Sequence, residues 1–529
     1  MEIVILLLFA VATVVALLAR RLKIPYTVAL VVTGVVLGTL HAFEAPHLTQ
    51  HLLYAVILPG LLFEAAFHLD FSDFWNNKLA IHSLAIVGVV ATIFVIASLL
   101  AGISAATNLL APVPFSLGLV FGAVVAATDP IAVVGLFKSL GAPRRLRVLV
   151  EGESLLNDGT ALVLFTLIVA AVSGGSLSPS GLALDFFRIV GLGVLIGSVT
   201  GLVVSTVIAR VDDPMIEITL TTIAAYGSFL LAEHFHGSGV IATVSAGLVC
   251  GNFALRSGMS ATTRIAVETF WEYLAFALNS FVFLLIGFSV PIQSLGEFWG
   301  AILIAYLVVT VSRGVVVYSI AALLRPTAEA IPWKWCAVMT WAGLRGALSM
   351  VVVLGLGAGF PHRDTIVTIT FGVVVLSILV QGLTMSPLLR ALGVVTQSEL
   401  HEEYETRRGR LMAVRAAREQ IPRISRELAL PAATVDHLQS DYEEQERKSE
   451  EQLASLHVEE QQLRDEEIHA ARRHLLLVQK EMLIEQFRRG LLGRSSYHSL
   501  MASLDARLLA IEDGDEERPE DSEDDPPDR

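Results

Sequence analysis

From Glu2 to Arg390 the chain is one long apolar run after another, joined by short loops that hold most of the charge of that region. A helix needs about 20 apolar residues to cross a bilayer. Roughly thirteen segments meet that length, some with help from small residues: 2–19, 25–41, 50–67, 80–105, 114–138, 148–172, 186–209, 215–233, 238–253, 268–290, 297–323, 333–358 and 365–392. The pattern predicts an all-α polytopic membrane protein. Only 17% of residues are charged, against roughly 25% in soluble proteins. The charge collects beyond Ser398, so the net charge of -14 describes mainly the tail and gives no support to a nucleic-acid partner. Cys250 and Cys336 lie in or beside apolar runs and read as packing residues, not as a disulfide or a metal site. No cofactor motif is evident. The N-terminal run lacks a basic region before it and a small-residue cleavage site after it, so it reads as a retained first span.

Lysine and arginine alternate between loops. One set carries Arg20, Arg21 and Lys23; Lys78; Lys138, Arg144, Arg145 and Arg147; Arg210; Arg256 and Arg264; Arg325 and Lys334. The opposite set carries little more than Arg188 and Arg363. The positive set is expected in the cytoplasm, with the N-terminus outside and the tail inside the cell membrane. The expected organisation is a transmembrane domain over 1–392, a helical cytoplasmic regulatory tail over 393–512 and a disordered acidic end over 513–529. Within the tail, 399–428 and about 432–490 read as charged helices, with Leu453, Leu456, Leu463 and Leu477 partly at heptad spacing; Ser495 to Ile511 reads as a short amphipathic helix.

A charge at mid-bilayer costs at least about 2.5–3.5 kcal/mol, so each one points to a site. Thr128-Asp129-Pro130 lies inside the fifth span. Proline removes a backbone donor and breaks the helix, and carbonyls freed in lipid are tolerated only where they line a cavity or bind something. In the sixth span, Glu151-Gly152-Glu153-Ser154-Leu155-Leu156-Asn157-Asp158-Gly159 puts Ser154 and Asp158 on one helical stripe and Glu153 and Asn157 on the next. Na+ is a hard cation that prefers such oxygen ligands. Glu151 is expected in the first turn, where an acid suits the helix dipole. Arg313 in the eleventh span and Arg345 in the twelfth each call for a buried anion, and Gly343 and Gly346 beside Arg345 suggest a second interrupted helix. Paired interrupted helices are a pointer to a transport site. Glu64, following Pro59-Gly60, is a candidate outer ligand; Glu233 reads as a solvated residue at the outer mouth, and histidines 41, 47, 51, 234 and 236 as solvated loop residues. No phosphate-binding loop, potassium-channel filter or zinc-protease motif occurs in the sequence, so neither an ATP-driven pump nor an enzyme is indicated.

These motifs resemble the NhaP/NHE-type sodium/proton antiporters, of the first monovalent cation:proton antiporter family. The likeness covers about residues 1–392 through FEAAF, ATDPIAV, EGESLLNDG, the AE-x-x-H-x-SG stretch and WAGLRGALS. It implies inverted repeats with two interrupted, crossing helices and a homodimer in lipid. By its motif, Asp158 is the central carboxylate, with Ser154, Asp129, the Thr128 carbonyl and Glu64 completing the Na+ site. Glu153 would pair with Arg313, with Arg345 the second choice, and Asn157 marks the electroneutral class. The implied function is exchange of Na+ (or Li+) for H+, serving pH and sodium homeostasis. K+/H+ exchange on the same site is the alternative; an ion channel or a cation-sensing membrane protein is a third class.

Overall fold

The computed structural model describes residues 2–22, 24–40, 52–106, 113–174, 179–211, 213–254, 261–289, 292–357, 359–394, 399–428 and 431–457, with scattered positions between 472 and 504. All regular structure among the described residues is helical. The chain divides into two compact units, Met1–Thr396 and Gln397–Arg529.

The first unit contains α1 (Glu2–Leu22), α2 (Tyr26–Thr39), α3 (Leu53–His68), α4 (Lys78–Ala106), α5 (Phe115–Val124), α6 (Ile131–Leu140), α7 (Arg144–Val172), α8 (Ser180–Ile208), α9 (Pro214–His234), α10 (Gly239–Phe253), α11 (Ala261–Phe288), α12 (Trp299–Leu324), α13 (Trp333–Trp341), α14 (Ala347–Leu354) and α15 (Arg363–Ala391). Two short connecting helices lie at Phe71–Asn76 and Ile292–Glu297. Seven helices are long and apolar enough to cross a membrane: α4, α7, α8, α9, α12 and α15, and the Thr263–Phe288 stretch of α11. Most of the remainder are shorter apolar helices, and two pairs, α5/α6 and α13/α14, are halves of interrupted ones. Helices α2 and α11 approach so closely that a Cβ on Gly34 would stand 2.3 Å from the Leu284 carbonyl oxygen. Small residues at such contacts let backbones pack without side chains between them.

The two interruptions have local causes. Helix α5 gives its last regular bond from the Val125 amide to the Phe121 carbonyl, at 3.0 Å. Pro130 has no amide to continue the ladder, and α6 restarts at Ile131. In the twelfth apolar segment α13 ends with the Ala342 amide on the Val338 carbonyl, at 2.7 Å. The stretch Gly343–Gly346 is not helical, and α14 restarts at Ala347. The twelfth segment is therefore interrupted like the fifth.

The two breaks cross, and each supplies what the other lacks. The Asp129 amide donates to the Leu344 carbonyl at 2.8 Å. Arg345 Nη1 donates to the Ala126 and Ala127 carbonyls at 3.1 and 3.0 Å. The Asp129 carboxylate accepts from the Ile131 amide at 3.1 Å and from the Ala347 amide, so it caps α6 and α14 together. A helix N-terminus carries partial positive charge and a C-terminus partial negative charge; the acid sits at two N-termini and the arginine at a C-terminus. Gly346 is required here, because a Cβ would lie 2.1 Å from Asp129 Oδ2.

From the sequence, both arginines were expected to face a buried anion. For Arg345 this is corrected: its partners are the freed carbonyls of the α5 end, whose dipoles take the place of a carboxylate.

The second unit contains α16 (Glu399–Leu428) and α17 (Ala432–His457), which pack as an antiparallel hairpin. Arg415 Nε meets Glu446 at 2.8 Å and Arg418 Nη1 meets the same carboxylate at 2.6 Å. The two arginines are about half exposed while the shared Glu446 is largely covered, and Leu411 and Ile421 are buried apolar residues of α16. Residues 458–471, with Leu463, and the acidic end 513–529 lie outside the described residues, as does most of the expected 495–511 helix.

Candidate functional site

Helix α7 carries its polar groups on adjacent stripes, and the structure sends the stripes in different directions. Glu153 and Asn157 face inward among neighbouring helices. Glu153 is fully buried and receives both ends of the Arg313 guanidinium, Nη1 to Oε1 at 2.7 Å and Nη2 to Oε2 at 2.8 Å. Arg313 lies in α12 and also donates to the Met339 carbonyl of α13 at 3.3 Å. A planar bidentate fork of this kind is the strongest geometry available to a carboxylate. Asn157 Nδ2 reaches the Ala126 carbonyl, Thr128 Oγ1 and Glu153 Oε1 at 3.3, 3.2 and 3.3 Å. It thereby joins the ion pair to the α5/α6 break.

Ser154 and Asp158 face a cavity of about 490 Å³. It follows α7 from Arg147 to Asp158, about 16 Å at the helical rise. Its other walls are α3, with Glu64; the break, with Thr128 and Asp129; α11, with Asn279; and the start of α14, with Ser349. Ser154 Oγ donates to the Thr128 carbonyl. That bond completes the accounting for the break: Ala126 and Ala127 go to Arg345, Ala126 also to Asn157, and Thr128 to Ser154. Lone pairs remain on Ser154 Oγ and on the Thr128 oxygen, since each oxygen has two.

Asp158 stands apart from the other charges at the crossing. Asp129 accepts two backbone bonds, Glu153 holds Arg313, and Arg345 holds two carbonyls, whereas Asp158 Oδ1 is buried with no hydrogen-bond partner among the described residues. Glu64 is partly exposed in the cavity wall, 3.4 Å from His68 Nδ1. The sequence-selected residues therefore form two groups around the crossing. Asp158, Ser154, Thr128, Asp129 and Glu64 line the cavity; Glu153, Asn157, Arg313 and Arg345 brace the elements that form it. Glu233 lies elsewhere, exposed, and accepts from Tyr54 Oη at 2.8 Å and the Gly239 amide at 3.1 Å. Three polar cavity residues were not singled out from the sequence: His68, Asn279 and Ser349. The signal for Asn279 was a single amide inside the apolar run AFALNSFVF; Ser349 closes the WAGLRGALS motif, where Arg345 drew the reading.

A family profile described as the transmembrane sodium/hydrogen exchanger matches residues 6–391. The chain belongs to the sodium/hydrogen exchanger family. Within curated members it is 37% identical over 405 residues to the Na(+)/H(+) antiporter ApNhaP of Aphanothece halophytica, covering 76% of each chain. It is 34% identical over 480 residues to the Na(+)/H(+) antiporter NhaG of Bacillus atrophaeus, covering 88% of this chain and 89% of that one. The fold is similar to that of the sodium proton antiporter MjNhaP1 from Methanocaldococcus jannaschii, with a TM-score of 0.60 at 19% identity, over 74% of this chain and 98% of that one. Family and apolar helices together make this exchanger-family chain a multi-pass membrane protein of the transporter class.

Proposed function

We propose that the protein is a secondary transporter that exchanges Na+ or Li+ for H+, one for one, through Asp158. The observation that carries this reading is the unpartnered Asp158 Oδ1 at a crossing where Asp129, Glu153, Arg313 and Arg345 are all engaged. The charges at the crossing are Asp129, Glu153 and Asp158 against Arg313 and Arg345. Three negatives and two positives leave one negative, which one monovalent cation or one proton cancels. Burial disfavours an uncompensated charge, so the site crosses the barrier loaded with one or the other, and competition for Asp158 couples the two flows. The names of the similar proteins support Na+ as the cation.

In this reading Asp158, Ser154, the Thr128 carbonyl, Asp129 and Glu64 supply oxygen to the cation. Asp129 keeps one protonation state, held by the ends of two helices, and Asn157 cannot titrate. Glu153 and Arg313 form a brace, Arg345 a cap for the break. The lysine and arginine loops favour a cell-membrane protein with its N-terminus outside and its tail in the cytoplasm, where the cavity mouth at Arg147 and Glu151 would open. A homodimer is expected from the family resemblance.

Two experiments test this reading. In proteoliposomes, Na+ and Li+ should dequench a pH dye, and K+ should do so poorly. An imposed membrane potential should leave the initial rate unchanged. A net charge crossing the membrane would be worth about 2.3 kcal/mol per 100 mV, a bias that could not be missed. A rate that follows the potential, or a transient current on adding Na+, would mean that a second carboxylate titrates, with Asp129 the one to examine.

The tail is assigned a regulatory part. Every proposed ligand precedes it, so a chain ending at Ser398 should retain exchange, with a change confined to pH profile or dimer stability. A folded but inactive truncation would make the tail part of the transport cycle.

A further inference from the structure

The cavity lining holds two polar residues, one on α11 and one on α14, that the exchange reading does not use. Helix α11 contributes Ala275 and Asn279 to it, and Asn279 is the polar one. The residue is 9% exposed, and its Oδ1 is buried with no hydrogen-bond partner among the described residues. Beside α11 on the lining is Ser349, fully buried, with its hydroxyl also lacking a partner among the described residues.

The hydroxyl has a local reason for this. Serines and threonines in these helices commonly donate to the carbonyl four residues back, as Thr33, Thr160 and Thr310 do. Ser349 is the third residue of α14, and the residue four back is Arg345, in the break, whose carbonyl lies near Ser377 Oγ instead. The interruption that creates the site thus also frees this hydroxyl. A buried polar group without a partner costs about 1–3 kcal/mol, and in a native structure it calls for an explanation such as a bound ion or water.

We propose that Asn279, together with Ser349, is the cation's contact on the wall facing Asp158, and that this contact distinguishes the cation-loaded site from the proton-loaded one. The proposal rests on the reading of Asp158 as the exchange carboxylate. A proton on Asp158 occupies a single carboxyl group and reaches nothing across the cavity. A cation collects several oxygens around itself, so it can bridge α7 to α11 and α14. The side-chain amide supplies its unpartnered Oδ1, a neutral acceptor with two lone pairs. Both groups are neutral, so they add ligands without altering the balance of one cation against one proton. A carboxylate at 279 would alter it.

The test uses the full-length chain in proteoliposomes and in detergent. Asn279→Leu keeps the volume and removes the oxygen. It should raise the Na+ concentration giving half-maximal exchange by about 10-fold, one tenfold step in affinity, while the rate at saturating Na+ falls much less. The Na+ concentration needed to stabilise the purified protein against heating should rise in parallel. Asn279→Ser restores a neutral oxygen and should return half-saturation to within about threefold of the original. An Asn279→Leu protein with unchanged half-saturation in both assays overturns the proposal, and so does an Asn279→Ser protein as poor as the leucine variant. Should the leucine variant fail to fold, Asn279→Ala with the same two measurements decides the matter. Asp158→Asn run alongside separates the two levels: if that variant still exchanges, the central carboxylate is misassigned; if it is inactive while Asn279→Leu is normal, only the facing contact is wrong.

Discussion

Asp158→Asn is expected to abolish Na+-driven proton movement, a loss of at least about 100-fold, while the protein remains inserted and folded. The substitution keeps shape and burial and removes one negative charge, so the crossing becomes neutral with nothing bound. Neither a proton nor a cation then has a site, and a neutral amide at the cavity wall is cheaper to bury than the carboxylate it replaces. Detergent melts should therefore stay close to those of the parent protein, while pH-dye dequenching disappears for Na+ and Li+ alike. Exchange at near-normal rate in this variant would remove Asp158 from the mechanism and direct attention to Glu64 and Glu151, the partly exposed acids on the cavity wall.

The second large effect is on stability. Glu153→Ala and Arg313→Ala each leave one buried charge without its partner, which costs about 3–5 kcal/mol. The fork at 2.7 and 2.8 Å is enclosed by α7, α12 and the end of α13, where water offers little relief to the charge left behind. The double variant removes both charges and should recover part of the loss. Melting of the four proteins as a thermodynamic cycle measures the coupling. Simple additivity would mean that the pair is not the brace, and that Asn157 and the Met339 carbonyl carry the connection.

Much of this site could be read from the sequence because lipid makes polar residues expensive. Proline beside an acid in an apolar run, and a stripe of Ser154 and Asp158, stand out against leucine and valine. The break at 342–346 was signalled only by two glycines around an arginine. The partner of that arginine was not legible, because backbone carbonyls carry no mark in the sequence; only the crossing of the two breaks brings Ala126 and Ala127 to Arg345. Asn279 was missed for a related reason. A lone amide is far cheaper in a helix than a charge, so a search for costly residues passes over it. In the tail, charge density pointed to two helices, but their pairing as a hairpin was not legible, and the buried residues of the first, Leu411 and Ile421, lie outside the spacing of Leu453, Leu456, Leu463 and Leu477.

The crossing also has a bearing on how the chain is made. The carbonyls of Ala126 and Ala127 are closed by a residue that lies 219 and 218 positions further along. At a synthesis rate of about 5–20 residues per second, that interval lasts roughly 10–45 s. Through it the first interrupted segment has bare backbone ends and an acid that lacks its second helix terminus. The first half of the protein is thus not a unit that can finish by itself and wait. It must be sheltered, by the insertion machinery or by water at the membrane surface, until the second break arrives to close it.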